Sequence, residues 1–274
     1  MRTACGVMDV STSGYYAWKS RGDSPRAQLQ KQLFAAVAAS HARSKGVYGY
    51  RKVHQDIDDF TACPETVRRA MKAQGLRSRV IRRFRYAIPA EKAAPVLKNV
   101  LDREFTASQP NQKWVGDITY IPTQSGWLYL SVVLDLYSRR VIGWAMSDKA
   151  DAVIACRALE CAINARKPTD NLIHHSDQGA QYTSSKFSEL LTKHSIQGSM
   201  SRKGNCWDNA VAESFFGKLK AEWVKGKTYK THDEARLDLF YYLEVFYNRH
   251  RRHATLEYLS PASFEKRHAG EAQF

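Results

Sequence analysis

His174-His175-Ser176-Asp177-Gln178-Gly179-Ala180-Gln181-Tyr182 and Cys206-Trp207-Asp208-Asn209-Ala210-Val211-Ala212-Glu213-Ser214-Phe215-Phe216-Gly217-Lys218-Leu219-Lys220 are the runs whose reading decides the fold. The first run follows an apolar segment and breaks at Ser176–Gly179, so Asp177 falls just past a strand end. The second carries apolar residues at helical spacing and sets Glu213 on an amphipathic helix. Thirty-five residues separate the two acids. A third acid, Asp117, stands sixty residues before Asp177 in Trp114-Val115-Gly116-Asp117-Ile118-Thr119-Tyr120-Ile121, a β-branched and aromatic run that predicts a strand. Carboxylates on separate rigid elements can converge on divalent metal. An acid inside an apolar strand is costly to bury unpaired, which favours a cation beside it.

Working outward, Ser125-Gly126 predicts a turn into the nearly unbroken apolar run Trp127–Leu136, and Ser138-Arg139-Arg140 a second turn into Val141–Met146. A helix over Ala152–Ala165 and a strand over Asn171–His174 follow. Next comes a helix capped by Thr183 or Ser184, with Phe187, Leu190 and Leu191 as its apolar face. A strand at Ile196–Ser199 and the loop Lys203-Gly204-Asn205 lead into the Glu213 helix, and the glycine loop predicts mobility there. The order β-β-β-α-β-α-β-α predicts an α/β fold, a mixed five-stranded sheet with flanking helices. Beyond it, His232–Arg249 reads as a helix packed through Leu237, Phe240, Tyr241, Val245 and Phe246, and the tail after Pro261 as frayed.

The front of the chain is a different material. Of the net +15, residues 1–100 carry +12, from 19 basic and 7 acidic side chains. That imbalance favours a polyanionic partner, most simply nucleic acid. Ser11 can cap a short helix bearing Tyr15, Tyr16 and Trp18. From Pro25 a helix places Leu29, Leu33 and Val37 on one face; a second is expected over Arg51–Phe60 and a third over Glu65–Gln74, stopped by Gly75. Val67, Ala70 and Met71 point inward, while Arg68, Arg69 and Lys72 stay outside. Three short helices with a basic third one predict a small all-α helix-turn-helix module that contacts DNA, against the plainer reading of a helical bundle with solvated arginines. Basic residues continue through Arg82, Arg83 and Arg85 into a proline-punctuated stretch suited to tracking a DNA backbone. The expected divisions are residues 1–24 as an N-terminal helical segment, 25–80 as the DNA-binding module, 81–110 as a basic linker, 111–230 as the core, and 231–274 as a C-terminal helix and basic tail. The five cysteines show no zinc-ligand spacing and read as free thiols in a reducing cytoplasm. No apolar run approaches the ~20 residues of a membrane span.

Trp114-x-x-Asp117-Ile118-Thr119-Tyr120, His175-Ser176-Asp177-x-Gly179-x-Gln181-Tyr182 and Asp208-Asn209-Ala210-x-x-Glu213, with Lys220 seven residues on, resemble the DDE transposases of the retroviral integrase superfamily. The nearest likeness is to the OrfB-type product of bacterial insertion sequences, which also shares the thirty-five-residue spacing and an ending like Tyr247-Asn248-x-x-Arg251-x-His253-x-x-Leu256. The resemblance runs from about Val10 to Pro261. It implies an RNase H-like core with Asp117, Asp177 and Glu213 as catalytic metal ligands. It further implies two Mg²⁺ ions, with Mn²⁺ as a substitute, and DNA cleavage and strand transfer at insertion-sequence ends. The implied partners are double-stranded DNA, as terminal inverted repeats and target, a homo-oligomer on paired ends, and the product of an upstream frame. The implied location is the cytoplasm, on the nucleoid. A nuclease that cuts without joining, and a DNA-binding repressor on a decayed core, are the rival readings.

The neighbours carry competing readings. Lys220 lies two turns beyond Glu213 and, by the resemblance, contacts terminal DNA; otherwise it is a solvated lysine. Asn209 either orients Glu213 or caps its helix, and His175 touches the scissile phosphate, lies behind the acids, or is a hydrogen-bonded structural histidine. Gln181 and Tyr182 either touch DNA or pack. Asp135 is expected to fix the hairpin through Arg139 or Arg140, and Asp208 to favour the start of the Glu213 helix through its dipole.

Overall fold

The computed structural model describes residues 2–57, 60–79, 97–169, 171–202 and 206–269, in two compact units, Met1–Ser78 and Arg79–Phe274. Arg82, Arg83, Arg85 and the loop Lys203-Gly204-Asn205 lie outside these residues.

In the first unit α1 (Arg2–Val7) precedes α2 (Thr12–Ser20), which Ser11 caps by accepting the Gly14 N–H at 2.9 Å. The bundle proper is α3 (Pro25–Arg43), α4 (Tyr50–Asp56) and α5 (Pro64–Ala73). Proline at the first turn costs α3 and α5 no internal hydrogen bond. Val37, Val53 and Val67 are fully buried where these helices meet, with Ala70 and Met71 beside them. Gly75, at φ +68°, ends α5 in the left-handed region. Two expectations need correcting. Leu29 is exposed, because the inward stripe of α3 begins only at Leu33. The second helix stops at Asp56, whose carboxylate is taken by Ser40 and Arg43 of α3 at 2.7 and 2.8 Å.

The second unit is built on a sheet of order β3-β2-β1-β4-β5. Its strands are β1 (Lys113–Thr123), β2 (Gly126–Asp135), β3 (Val141–Ser147), β4 (Ile173–Ser176) and β5 (Gln197–Met200). The first three form an antiparallel meander, while β4 runs parallel to β1 and β5 parallel to β4. The parallel pairs need crossovers, supplied by α6 (Ala152–Arg166) and α7 (Ser185–Lys193). The alanines Ala155, Ala158 and Ala162 let α6 lie close on the sheet. Gly143 of β3 is where it comes closest: a Cβ there would sit 2.3 Å from the Ala158 carbonyl oxygen. With Trp114, Phe187 and Leu190 these residues form the core on this face.

The remaining helices are α8 (Ala210–Leu219), α9 (His232–Phe240) and α10 (Pro261–Ala269). α8 packs against β1 and runs on as π-helix over Lys220–Val224; α9 continues likewise over Tyr241–His250. Phe215, Trp223, Tyr242, Phe246 and Tyr247 interlock there, around a buried ion pair in which the Arg251 Nε donates to Glu222 at 2.6 Å. Leu237, Phe240 and Tyr241, expected to pack, are exposed. The inward register of this helix is Ala235, Leu239, Tyr242, Leu243 and Phe246.

Three further expectations change. Residues 97–110, read as linker, pack on the core: Leu101 is buried, and the backbone N–H groups of Val100 and Leu101 both donate to Ser199 Oγ. The tail after Pro261 is not frayed. It forms α10, whose Glu265 accepts from Ser138, Arg140 and Arg166. Asp135 does not bind an arginine of its hairpin; it accepts the Asn111 and Tyr137 N–H groups, at 2.9 and 3.0 Å.

Candidate functional site

Val115 and His175 are partners in the parallel β1–β4 ladder, which spans only Lys113–Val115 on the β1 side. Asp117 and Asp177 each lie two residues beyond that last pair, so the parallel register carries both acids off the same end of the ladder. Asp117 still faces Val132 on β2 but has lost its β4 neighbour. Past Ser176 the chain turns, and the Gly179 N–H donates to Asp177 Oδ1 at 3.0 Å. A Cβ at position 179 would lie 3.0 Å from both Asp177 Oδ1 and Gln181 Oε1, so glycine leaves room for the carboxylate. Glu213 comes from the first turn of α8.

The three carboxylates feel one another. Burial first, then the charge of Asp177 and, less, that of Glu213, push the Asp117 carboxyl up to about 8, against the Ile118 N–H and the Lys220 ammonium, which oppose the shift. The Asp177 carboxyl is raised by desolvation, partly offset by the Gly179 N–H. Desolvation and Asp177 raise that of Glu213. Like charges around a poorly solvated carboxylate disfavour its ionisation. Among the described residues, no three His, Cys, Asp or Glu side chains stand close enough to hold a metal ion as they are placed. The acids are neighbours in charge, not yet a closed set of ligands. Their chemistry nevertheless fits a hard divalent cation: the donors are all carboxylate oxygens, and the central one keeps its proton for want of positive charge.

Lys220 supplies some of that charge. Its Nζ lies 4.6 Å from the ring centre of Tyr120, three residues past Asp117 on β1. Tyr120 meets Trp127 of β2 edge to face with centroids 5.0 Å apart, and both rings are half exposed. Tyr120 belongs to the strand motif of Asp117, whereas Trp127 reads in the sequence only as the start of an apolar strand. A buried pair lies close to the acids, and in it Tyr182 packs. His174 and Tyr182 are buried against Phe187, with His174 Nε2 lacking a hydrogen-bond partner among the described residues. A Cβ on Gly116 would stand 2.8 Å from His174 Nε2 and 3.4 Å from the Tyr182 hydroxyl. The glycine immediately before Asp117 was the available signal.

His175 points elsewhere. Its Nδ1 and Nε2 are bonded to Ser199 and Ser201 at 2.8 and 3.1 Å, in the interior. Asn209 precedes α8 without capping it through its side chain, and its Oδ1 is buried without a partner among the described residues. Gln181 donates to the Ala150 carbonyl at 2.8 Å. Asp208, expected to serve the helix dipole, is held instead by Arg202, Arg103 and Asn99; the Arg202 hydrogen bond leads in keeping its carboxyl well below the usual range. In the first unit Arg68, Arg69 and Lys72 are exposed on α5, but Glu65 already accepts from Arg68 at 2.7 Å and Arg69 at 3.1 Å.

Comparison with known proteins decides the family. Residues 107–206 and 194–261 match integrase core domains, and residues 28–84 match an HTH-like domain. The chain is 41% identical over 271 residues to the transposase InsF of insertion sequence IS3A from Escherichia coli K12, covering 97% of this chain and 94% of the relative. It belongs to the insertion-sequence transposases. A 31 kDa protein of insertion element IS600 from Shigella sonnei is 36% identical over 266 residues, covering 96% of this chain and 98% of that one. Among solved structures, a simian T-cell lymphotropic virus intasome bound to PP2A regulatory subunit B56 gamma aligns at a TM-score of 0.46 and 16% identity, over 83% of this chain and 73% of that one. The HTLV-2 integrase catalytic core domain in complex with magnesium aligns at 0.44 and 18% identity, over 57% of this chain and 97% of that one. The transposase is therefore a polynucleotidyl transferase with an integrase core and an HTH-like region. No helix among its described residues is long and apolar enough to cross a membrane.

Proposed function

We propose that Asp117, Asp177 and Glu213 are the catalytic carboxylates of this transposase. They would act with divalent metal, Mg²⁺ or in its place Mn²⁺, in cutting and joining DNA strands at the ends of an insertion sequence. The supporting observation is the Asp117 carboxyl, raised to about 8 beside two further acids at the end of a parallel ladder. Two bound ions would supply Lewis acidity, one toward the attacking oxygen and one toward the leaving oxygen. Asp117, the least solvated, Asp177, steadied by Gly179, and Glu213, on α8, would together hold the ions. Lys220, held over Tyr120, faces the phosphate of the DNA end. No protein nucleophile is needed, since a water or a 3′-OH attacks phosphorus directly.

DNA enters this reading as terminal inverted repeats and as target. Residues 25–80 form the helix-turn-helix module, with Arg68, Arg69 and Lys72 of α5 on phosphates, and Arg82, Arg83 and Arg85 continue the contact along the 81–110 segment. Residues 111–230 hold the chemistry, and residues 231–274 close the core through α9 and α10. His175 and Asn209 act behind the acids by fixing β5 and the entry to α8. Synapsis of two ends calls for a homo-oligomer, and an upstream-frame product completes end recognition at the nucleoid.

Joining of a pre-cut 3′-OH end to a target duplex with Mg²⁺ tests the site. Asp117→Asn, Asp177→Asn and Glu213→Gln should each abolish joined product while leaving DNA binding intact. Activity retained in any one removes that residue from the triad.

A further inference from the structure

Ala210, Val211, Ser214 and Lys218 recur at helical spacing and share one face of α8, turned by roughly 100° from Glu213. That face lines a cleft of about 250 Å³, closed by the β2–β3 hairpin at Leu134 and Arg139 and by the stretch from Tyr247 to Thr255. The volume lies below the roughly 300–1,000 Å³ of pockets for drug-sized ligands, so it suits one small group.

The polar groups lining the cleft are mostly hydrogen-bond donors. Lys218 is half-buried there; burial first, then Arg251, lowers its pKa. Arg139 donates through Nη2 to the Phe105 carbonyl at 2.8 Å, but its buried Nη1 has no partner among the described residues, and burial lowers its pKa too. The nearby acids are already engaged. Glu222 is taken by Arg251, and Asp135 is occupied by two backbone N–H groups, with burial raising its pKa. His253 accepts from Arg251 at Nε2, which leaves Nδ1 as its N–H nitrogen. Ser214 and Thr255, both exposed, place hydroxyls at the mouth. Glu222 acts on Lys218 and Asp135 on Arg139, but both carboxylates are hydrogen-bonded elsewhere, so a tetrahedral oxyanion can still meet guanidinium, ammonium and hydroxyl donors together in the cleft.

We propose that this cleft seats a backbone phosphate of bound DNA, on the α8 face next to the one that carries Glu213. The proposal rests on the chain being a transposase and not on the metal reading of the acids. Through it α8 would be fixed against the DNA at a second point, away from the scissile bond.

The test is DNA binding by the full chain in EDTA, read by fluorescence anisotropy against salt concentration, with an arbitrary duplex. Each neutralised phosphate contributes about 0.9 to the slope of log affinity against log salt. Lys218→Gln should make the slope shallower by about that amount and weaken binding about three- to tenfold at low salt. Lys218→Arg should restore both, and Thr255→Val, at the exposed mouth, should give a smaller loss in the same direction. A duplex with a single neutral methylphosphonate should bind the wild type more weakly when the modified position meets the cleft, and bind Lys218→Gln no more weakly than unmodified DNA. An unchanged slope for Lys218→Gln overturns the proposal, even if inorganic phosphate raises the melting temperature of the wild type. So does a loss that Lys218→Arg fails to restore, which would mark a packing defect. None of these readings needs metal, so failure of the triad leaves them untouched.

Discussion

The ammonium of Lys220 sits over the ring of Tyr120, 4.6 Å from its centre, and its charge lowers the pKa of Asp117 on the same strand. Cation–π pairing of this kind contributes about 0.5–1 kcal/mol at exposed sites. Tyr120→Leu should therefore cost about two- to fivefold in affinity for a DNA end, by competition binding. Lys220→Ala should lose more, because it removes the charge as well, and Lys220→Arg should keep most of the activity in the joining assay.

The raised carboxyl of Asp117 sets a pH dependence whose sign is definite. In the unfolded chain this acid loses its proton near 3.8, whereas in the folded one it keeps it to about 8. Across that window the unfolded state binds fewer protons, so Asp117 makes metal-free stability fall as pH rises from about 4 to about 8. Melting temperatures in EDTA should show this fall, and Asp117→Asn should flatten that part of it. Mg²⁺ affinity, by calorimetry, should climb toward pH 8 and then level off, since the metal must displace that proton. A flat affinity profile would detach Asp117 from the metal.

His175 predicts the opposite slope. Burial lowers its pKa to about 4, so it stays neutral in the fold while the unfolded chain takes up a proton near 6.5. His174 behaves alike, lowered by burial to about 3. Stability from this pair should drop as pH falls from about 6.5 to about 3. His175→Ala, which takes one hydrogen bond each from Ser199 and Ser201, should cost roughly 1–3 kcal/mol in denaturant unfolding. Joining rate per folded molecule should change little if the histidine acts only by fixing β5.

Of these features, the sequence made some legible and hid others for physical reasons. The order of strands and helices is local, written in turn residues and periodicity, and so the five-stranded sheet could be read. The acids at positions 117, 177 and 213 could be named from their elements, but the ladder that aligns Val115 with His175 is a long-range register. The partners of His175 lie 24 and 26 residues away, and nothing local points to them. Leu29 and Leu237 matched an apolar stripe yet face solvent, because a helix can satisfy the pattern on either side of its true inner edge. α10 has little apolar pattern of its own and is held mainly by ion pairs that a local reading cannot see.

The pair Glu222–Arg251 should behave as a unit. Arg251→Met leaves a carboxylate buried without its partner and should cost about 3–5 kcal/mol in chemical denaturation. Replacing both, with Glu222→Leu added, should recover most of that loss. Additive losses would mean that the two residues do not depend on each other.

On α5, the proposed DNA contact would set DNA against Glu65 for the same two arginines. Glu65 holds Arg68 and Arg69, and the Arg68 hydrogen bond leads in lowering its own carboxyl to about 2. Glu65→Gln should release both arginines and tighten non-specific DNA binding severalfold at low salt, an effect that disappears as salt is raised. Unchanged binding would separate these arginines from the DNA contact.

Glu265 of α10 joins Arg140 and Arg166 across sequence separations of 125 and 99. A ribosome makes the chain from its front, so the hairpin and α6 emerge long before the residue that fastens them. Translation at about 5–20 residues per second leaves the core waiting several seconds for its clasp. By then the basic N-terminal unit has already been made, whereas Asp177 and Glu213 are themselves added during the wait. Polymerisation order thus separates in time the making of the HTH-like region from the last fastening of the core.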